Sequence, residues 1–159
     1  TYTVAAYDAA GNTSAQSAAK SATTQASTTG AVGSVSNLSA AATGANSVTL
    51  SFTEVTDGAG QPAKYDVRFS SSGALWGGAP SVTQGTCATP LAGTTVGATK
   101  TCTVLGLLPS TAYQFQLVAF RGTMGAGPVY GALSNTASST TAAAANAMPP
   151  AKPKNLRMQ

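Results

Sequence analysis

Alternation of apolar and polar side chains recurs along the middle of the chain. Between Ser47 and Thr53, Val48, Leu50 and Phe52 share one face while Thr49 and Ser51 take the other. This period of two marks a strand buried on one side. Tyr65, Val67 and Phe69 repeat the pattern, with Asp66 and Arg68 expected to point outward. Tyr113, Phe115, Leu117 and Ala119 repeat it again around Gln114 and Gln116. Residues 35–40, 101–105 with Val104 in the core, and 133–141 are further predicted strands. Turn-forming residues separate them: Asp57-Gly58-Ala59-Gly60-Gln61-Pro62 is one cluster and the glycine-rich 122–131 another. Between Ser70 and Lys100 the pattern weakens, with Trp76 and Val82 as apolar anchors.

The segment from Leu107 to Tyr113 marks a corner. Pro109 fixes φ at about −65° and has no N–H to give a ladder, so the strand before it ends there. Tyr113 then opens the longest alternating strand, the placement of the tyrosine corner in Greek-key sandwiches, whose phenol hydroxyl bonds to upstream backbone. The expected fold is all-β, a seven-stranded antiparallel Greek-key β-sandwich of immunoglobulin-like type.

The ends of the chain repeat parts of its middle. Tyr2, Val4 and Ala6 alternate with Thr3 and Ala5, and Asp8, Gly11 and Asn12 favour a turn, so a hairpin is expected. Tyr2, Val4, Ala6 and Tyr7 match Phe115, Leu117, Ala119 and Phe120 at an offset of 113 residues, and 17–24 match 134–141 at an offset of 117. Lys154-Asn155-Leu156-Arg157-Met158 resembles Ser36-Asn37-Leu38-Ser39-Ala40 at an offset of 118. A tandem array follows as an expectation, with the chain beginning inside a longer polypeptide. Residues 1–24 would be the last two strands of a preceding repeat, 25–34 a linker, and 35–141 a complete domain. Residues 142–153, with Pro149-Pro150, would form a second linker, and 154–159 the first strand of a following repeat.

Composition narrows the class. Only 8% of residues are charged and the 43% apolar fraction is rich in alanine, which fits a secreted or cell-surface β-protein better than a cytosolic enzyme. The net charge of +4 is scattered, so no basic patch for nucleic acid is expected. No apolar run reaches the length of about 18 residues that spans a bilayer, so no membrane insertion is expected.

The ordered set of motifs resembles a fibronectin type III domain of the bacterial extracellular kind. Asn37-Leu38, the SVTLSF run at 47–52, Tyr65-x-Val67-x-Phe69, Leu107-x-Pro109-x-Thr111-x-Tyr113 and Leu133-Ser134-Asn135 carry the resemblance. The second strand of this family usually holds a tryptophan where this chain has Phe52. Members with a cell-attachment tripeptide carry Arg-Gly-Asp between the last two strands. Here Arg121-Gly122-Thr123 lacks the carboxylate that reaches a metal ion.

Little catalytic chemistry is available. Histidine is absent, and Asp8, Glu54, Asp57 and Asp66 are the only carboxylates. Serine and threonine therefore lack the base of a histidine-dependent triad, and the acids show neither calcium-loop spacing nor catalytic pairing. Glu54 and Asp57 read as solvated turn residues. No catalytic residue, metal ligand or cofactor is expected. Cys87 and Cys102 are the only thiols, too few for a metal site and without CxxC spacing. A bridge between them would close a loop of about 16 residues and contribute about 3 kcal/mol in the chain-entropy model. It would also imply an oxidising compartment; a pair of free buried thiols is the alternative. Trp76 beside Leu75 reads either as a cover over the core edge or as an exposed sugar-stacking platform. Arg121 is the second candidate binding residue. Asn12-Thr13-Ser14 and Asn37-Leu38-Ser39 have N-glycosylation spacing.

The expected function is that of a non-catalytic spacer in a tandem-repeat extracellular protein, partnered by neighbouring repeats. The alternatives are an adhesion or polysaccharide-binding module, an accessory domain of a secreted hydrolase, and a virion or filament component packed on other protein subunits.

Overall fold

The computed structural model describes residues 1–23, 29–73 and 75–145. The expected strand at 154–159 and parts of both linkers, 25–28 and 146–153, lie outside the described residues. Eight strands form among them: β1 (Ser39–Ala42), β2 (Ser47–Thr53), β3 (Lys64–Ser70), β4 (Leu91–Ala92), β5 (Thr99–Leu105), β6 (Ala112–Arg121), β7 (Val129–Leu133) and β8 (Ala137–Thr140). One sheet runs β1-β2-β5 and the other β4-β3-β6-β7, with β8 also paired to β6. All named pairings are antiparallel.

Alternation decides what fills the space between the sheets. Val48, Leu50 and Phe52 of β2, Tyr65 and Val67 of β3, Val104 of β5, and Phe115, Leu117 and Ala119 of β6 are buried. Phe69 is partly buried at the margin of this core. Burial of each large apolar side chain contributes about 1.5–3 kcal/mol. The Phe52 and Tyr65 rings meet edge to face at 4.8 Å, joining the sheets at the centre.

The last strand is broken where a continuous one was expected over 133–141. Ser134 turns its side chain into the ladder: its Oγ accepts the Leu117 N–H at 3.0 Å, and its own N–H donates to the Leu117 carbonyl at 2.8 Å. The register between β6 and β7 shifts between Val118 and Phe120. β7 and β8 are thus two halves of a seventh strand.

The first strand also differs from the expected 35–40. Val35 and Leu38 are buried, and β1 starts only at Ser39. Leu38 instead bonds across to the far sheet through Asn135, whose Oδ1 accepts its N–H and whose Nδ2 donates to its carbonyl, both at 2.8 Å. Residues 30–34, expected to belong to a flexible linker, pack on the sandwich. The Gly30 N–H donates to the Gly58 carbonyl at 2.6 Å and the Gly33 N–H to the Thr56 carbonyl at 2.9 Å, and Val32 is buried. Close approach is the reason for glycine here: a Cβ on Gly131 would lie 2.5 Å from the Gly33 carbonyl oxygen.

These contacts blunt the sheet edges, which would otherwise offer unpaired backbone to other chains. Asn135 closes one side of the sandwich. On the other, residues 84–87 run along β5, with the Cys87 N–H donating to the Thr103 carbonyl at 3.1 Å and the Leu105 N–H to the Gln84 carbonyl at 3.3 Å. At its N-terminal side the chain is tied near Gly58; at its C-terminal side the Ala142 N–H donates to the Gly44 carbonyl at 3.1 Å. Gly44 and Gly58 flank opposite ends of β2, separated by roughly 20 Å of strand.

Residues 2–20 form the expected hairpin, with antiparallel bridges Tyr2↔Lys20 and Tyr7↔Thr13. The Asp8 carboxylate organises its turn, accepting the Ala10 and Asn12 N–H groups at 2.9 Å each. Tyr2, Val4 and Tyr7 are exposed.

Candidate functional site

Polar side chains of this sandwich concentrate in four places. The first lies on the outer face of β3. Asp66, expected to point to solvent, is fully buried, because residues 75–82 fold over that face. Its Oδ2 accepts the Arg68 Nε–H at 3.0 Å and its Oδ1 the Ser81 hydroxyl at 2.8 Å. The Arg68 guanidinium also donates to the Ala79 carbonyl at 3.3 Å and sits 4.5 Å from the centre of the Trp76 ring. This is a cation held against both a carboxylate and an aromatic face.

Trp76 does not cover the core edge; its neighbour Leu75 is buried, and the indole stays 38% exposed. One ring face carries Arg68, and the remainder of the indole is partly exposed. A groove of about 360 Å³ lies nearby, lined by Phe69, Ser70, Gly78, Pro80 and Tyr113, and Trp76 does not line it.

The second place surrounds Glu54, expected as a solvated turn residue and found 1% exposed. Its carboxylate accepts the Thr94 N–H at 3.0 Å, the Thr94 hydroxyl at 3.0 Å and the Thr95 N–H, and pairs with Lys100 at 3.0 Å. Burial alone would raise its pKa. The bonds from Thr95, Lys100 and Thr94 outweigh burial and hold the carboxyl below its ordinary value. Close by, the Tyr65 hydroxyl accepts the Val55 N–H at 2.9 Å, and burial raises the phenol's pKa.

The third is the corner. The Tyr113 hydroxyl accepts the Leu108 N–H at 3.0 Å, with Leu107 buried beneath and Pro109 in the turn. Ser110 has φ 49°, a left-handed conformation uncommon for a residue with a Cβ. The Thr141 hydroxyl donates to the Leu108 carbonyl at 2.6 Å, tying the end of the last strand to this turn.

The fourth is Arg121, the other candidate binding residue, which is partly exposed and bonded to backbone. Its Nη1 donates to the Asp57 carbonyl at 2.7 Å and to that of Gly30 at 3.5 Å. The guanidinium clamps the incoming segment to the turn before β3. Among the described residues, no three of His, Cys, Asp and Glu gather as metal ligands.

Cys87 and Cys102 form a disulfide, S–S 2.04 Å, joining the segment before β4 to β5. Sequence reasoning missed Asp66 and Glu54 as buried charges. A readable signal existed for one of them: Arg68 stands two residues from Asp66 on the same strand face, and an aromatic follows in the crossover. Nothing local marked Glu54, whose partners lie about 40 residues away.

Two packed antiparallel sheets with a tyrosine corner define an immunoglobulin-like sandwich module. Residues 33–130 match the fibronectin type III domain, and the chain belongs to that family. Among solved structures, the FN1–FN3 domains of chicken CNTN1 are similar at 18% identity with a TM-score of 0.47, over 69% of this chain and 30% of that one. The sensor domain of the anti-sigma factor RsgI4 of Pseudobacteroides cellulosolvens is similar at 15% identity with a TM-score of 0.40, over 72% of this chain and 93% of that one. No curated protein sequence matches the chain. Family membership makes it a structural or adhesion-type module, and with the disulfide it points to an extracellular context.

Proposed function

We propose that the chain is a non-catalytic spacer in a secreted or cell-surface array of fibronectin type III repeats, holding neighbouring domains at a set separation. The observation that carries this reading is the placement of the two ends. The incoming segment is tied to Gly58 and the outgoing one to Gly44, at opposite ends of β2. Successive repeats joined this way advance along the strand direction. Charged groups turned onto the module's own backbone, Arg121 and Glu54 among them, support the same reading.

Small-angle scattering on proteins with one, two and three consecutive repeats tests it. The maximum dimension is expected to grow by about 30–40 Å per repeat, the length of a ten-residue strand with its turns. Growth much below that would mean folded-back repeats and would remove the spacer reading. The exposed Trp76 ring supports a second reading, adhesion to polysaccharide, for which binding lost in Trp76→Ala is the expected result.

A further inference from the structure

The hairpin at residues 2–20 copies the β6–β7–β8 edge of the complete domain at both of its bridges and at the serine between them. Phe115 pairs with Ala137 in the domain, and Tyr2 with Lys20 in the hairpin. Phe120 pairs with Tyr130, and Tyr7 with Thr13. Between these pairs sits the inward-turned serine. Ser17 Oγ accepts the Val4 N–H at 3.1 Å, its N–H donates to the Val4 carbonyl at 2.8 Å, and its Oγ–H donates to the Ala18 carbonyl at 3.2 Å. Ser134 makes the same three bonds with Leu117 and the Asn135 carbonyl. Every pair obeys the same two offsets, 113 on the first arm and 117 on the second.

The equivalence shows what the hairpin lacks. In the domain, Phe115, Leu117, Ala119 and Phe120 are fully buried, whereas Tyr2, Val4 and Tyr7 are 69%, 72% and 83% exposed. The far side of β6 is paired with β3, where Arg68 faces Gln116 and Asp66 faces Val118. The counterparts of Gln116 and Val118 are Thr3 and Ala5, and their N–H groups have no partner among the described residues. A two-stranded hairpin with one open apolar face is at best marginally stable in water.

We infer that residues 2–20 are one edge of a second sandwich, completed by the first five strands of a fibronectin type III repeat lying upstream in the same polypeptide. Its third strand pairs with residues 2–6. That strand carries three apolar residues at alternating positions opposite Tyr2, Val4 and Ala6, as Phe69, Val67 and Tyr65 stand opposite Phe115, Leu117 and Ala119. This rests on the tandem-spacer reading and adds a specific partner surface to it.

Amide hydrogen exchange tests the inference, comparing this chain with the parent polypeptide extended upstream of Thr1. The Thr3 and Ala5 amides are expected to exchange freely here and on the order of 100-fold more slowly or beyond in the parent, as sheet amides do. A lone hairpin cannot protect them, because they face away from its own second arm. In the parent, Val4→Asp is expected to release both amides while leaving the melting of residues 33–141 unchanged. If upstream residues fold as a sandwich and both amides still exchange freely, the inference fails and the spacer reading stands. If no upstream sandwich exists, both fail. Concentration-dependent protection of the two amides in this chain alone would assign the face to a second copy and overturn the inference.

Discussion

The side chain of Asn135 closes a two-bond ring with the backbone of Leu38, donor to acceptor in both directions at 2.8 Å. In effect an amide side chain supplies the rung that no strand provides between the two sheets. Asn135→Ala leaves the N–H and carbonyl of the buried Leu38 without partners, at a cost of about 2 kcal/mol. Urea denaturation of the variant is expected to show a lower midpoint with an unchanged slope.

Two buried phenols hold backbone N–H groups at opposite ends of the sandwich, Tyr113 at Leu108 and Tyr65 at Val55. Tyr113→Phe and Tyr65→Phe are each expected to cost about 1 kcal/mol through a lost acceptor. An unchanged stability for Tyr113→Phe would dissociate the corner bond from folding.

Glu54 makes stability depend on pH. Its folded pKa lies below the ordinary 4.5, so the stabilisation is complete above that value and is lost as pH falls through the folded pKa. The gap in stability between wild type and Glu54→Gln is expected to be widest near neutral pH and to shrink below about pH 4. Denaturation series from pH 7 to pH 3 on both proteins check the sign.

The Cys87–Cys102 bridge spans a sequence separation of 15. Replacing both cysteines with serine is expected to lower stability by about 3 kcal/mol. Wild type melted with a reductant is expected to move toward the double variant.

Arg68 touches Asp66, Ala79 and Trp76, and these contacts are unequal. Arg68→Ala strands a buried carboxylate on Ser81 alone and is expected to cost about 2 kcal/mol. Trp76→Ala removes a partly exposed cation–π contact worth about 0.5–1 kcal/mol. Equal losses in thermal melts would mean that the indole, and not the carboxylate, anchors Arg68.

The strands that carry the core were legible because their information is local. Val48, Leu50 and Phe52 alternate regardless of what covers them, and Pro109 ends a strand by its own ring. Burial of Glu54 was not legible, since its partners Thr94, Thr95 and the β5 residue Lys100 lie about 40 residues away, and that of Asp66, signalled only by Arg68 and Trp76, depends on the aperiodic segment 75–82 folding back over it. Residues 30–34 misled for a related reason. Glycine and serine read as flexibility, yet here glycine lets backbone approach backbone. Trp76, which the sequence left between covering the core edge and standing exposed, stays partly exposed, and Leu75 takes the buried position.

The tethers at Gly58 and Gly44 also determine how the module meets tension. A pull applied at the two ends of the module runs along the strands, so the ladders β1–β2 and β6–β8 are loaded in shear. Their hydrogen bonds then share the force and yield together, where a perpendicular pull would unzip them singly. Each terminal strand pairs over four residues, so neither end of the module is the obvious first to give way.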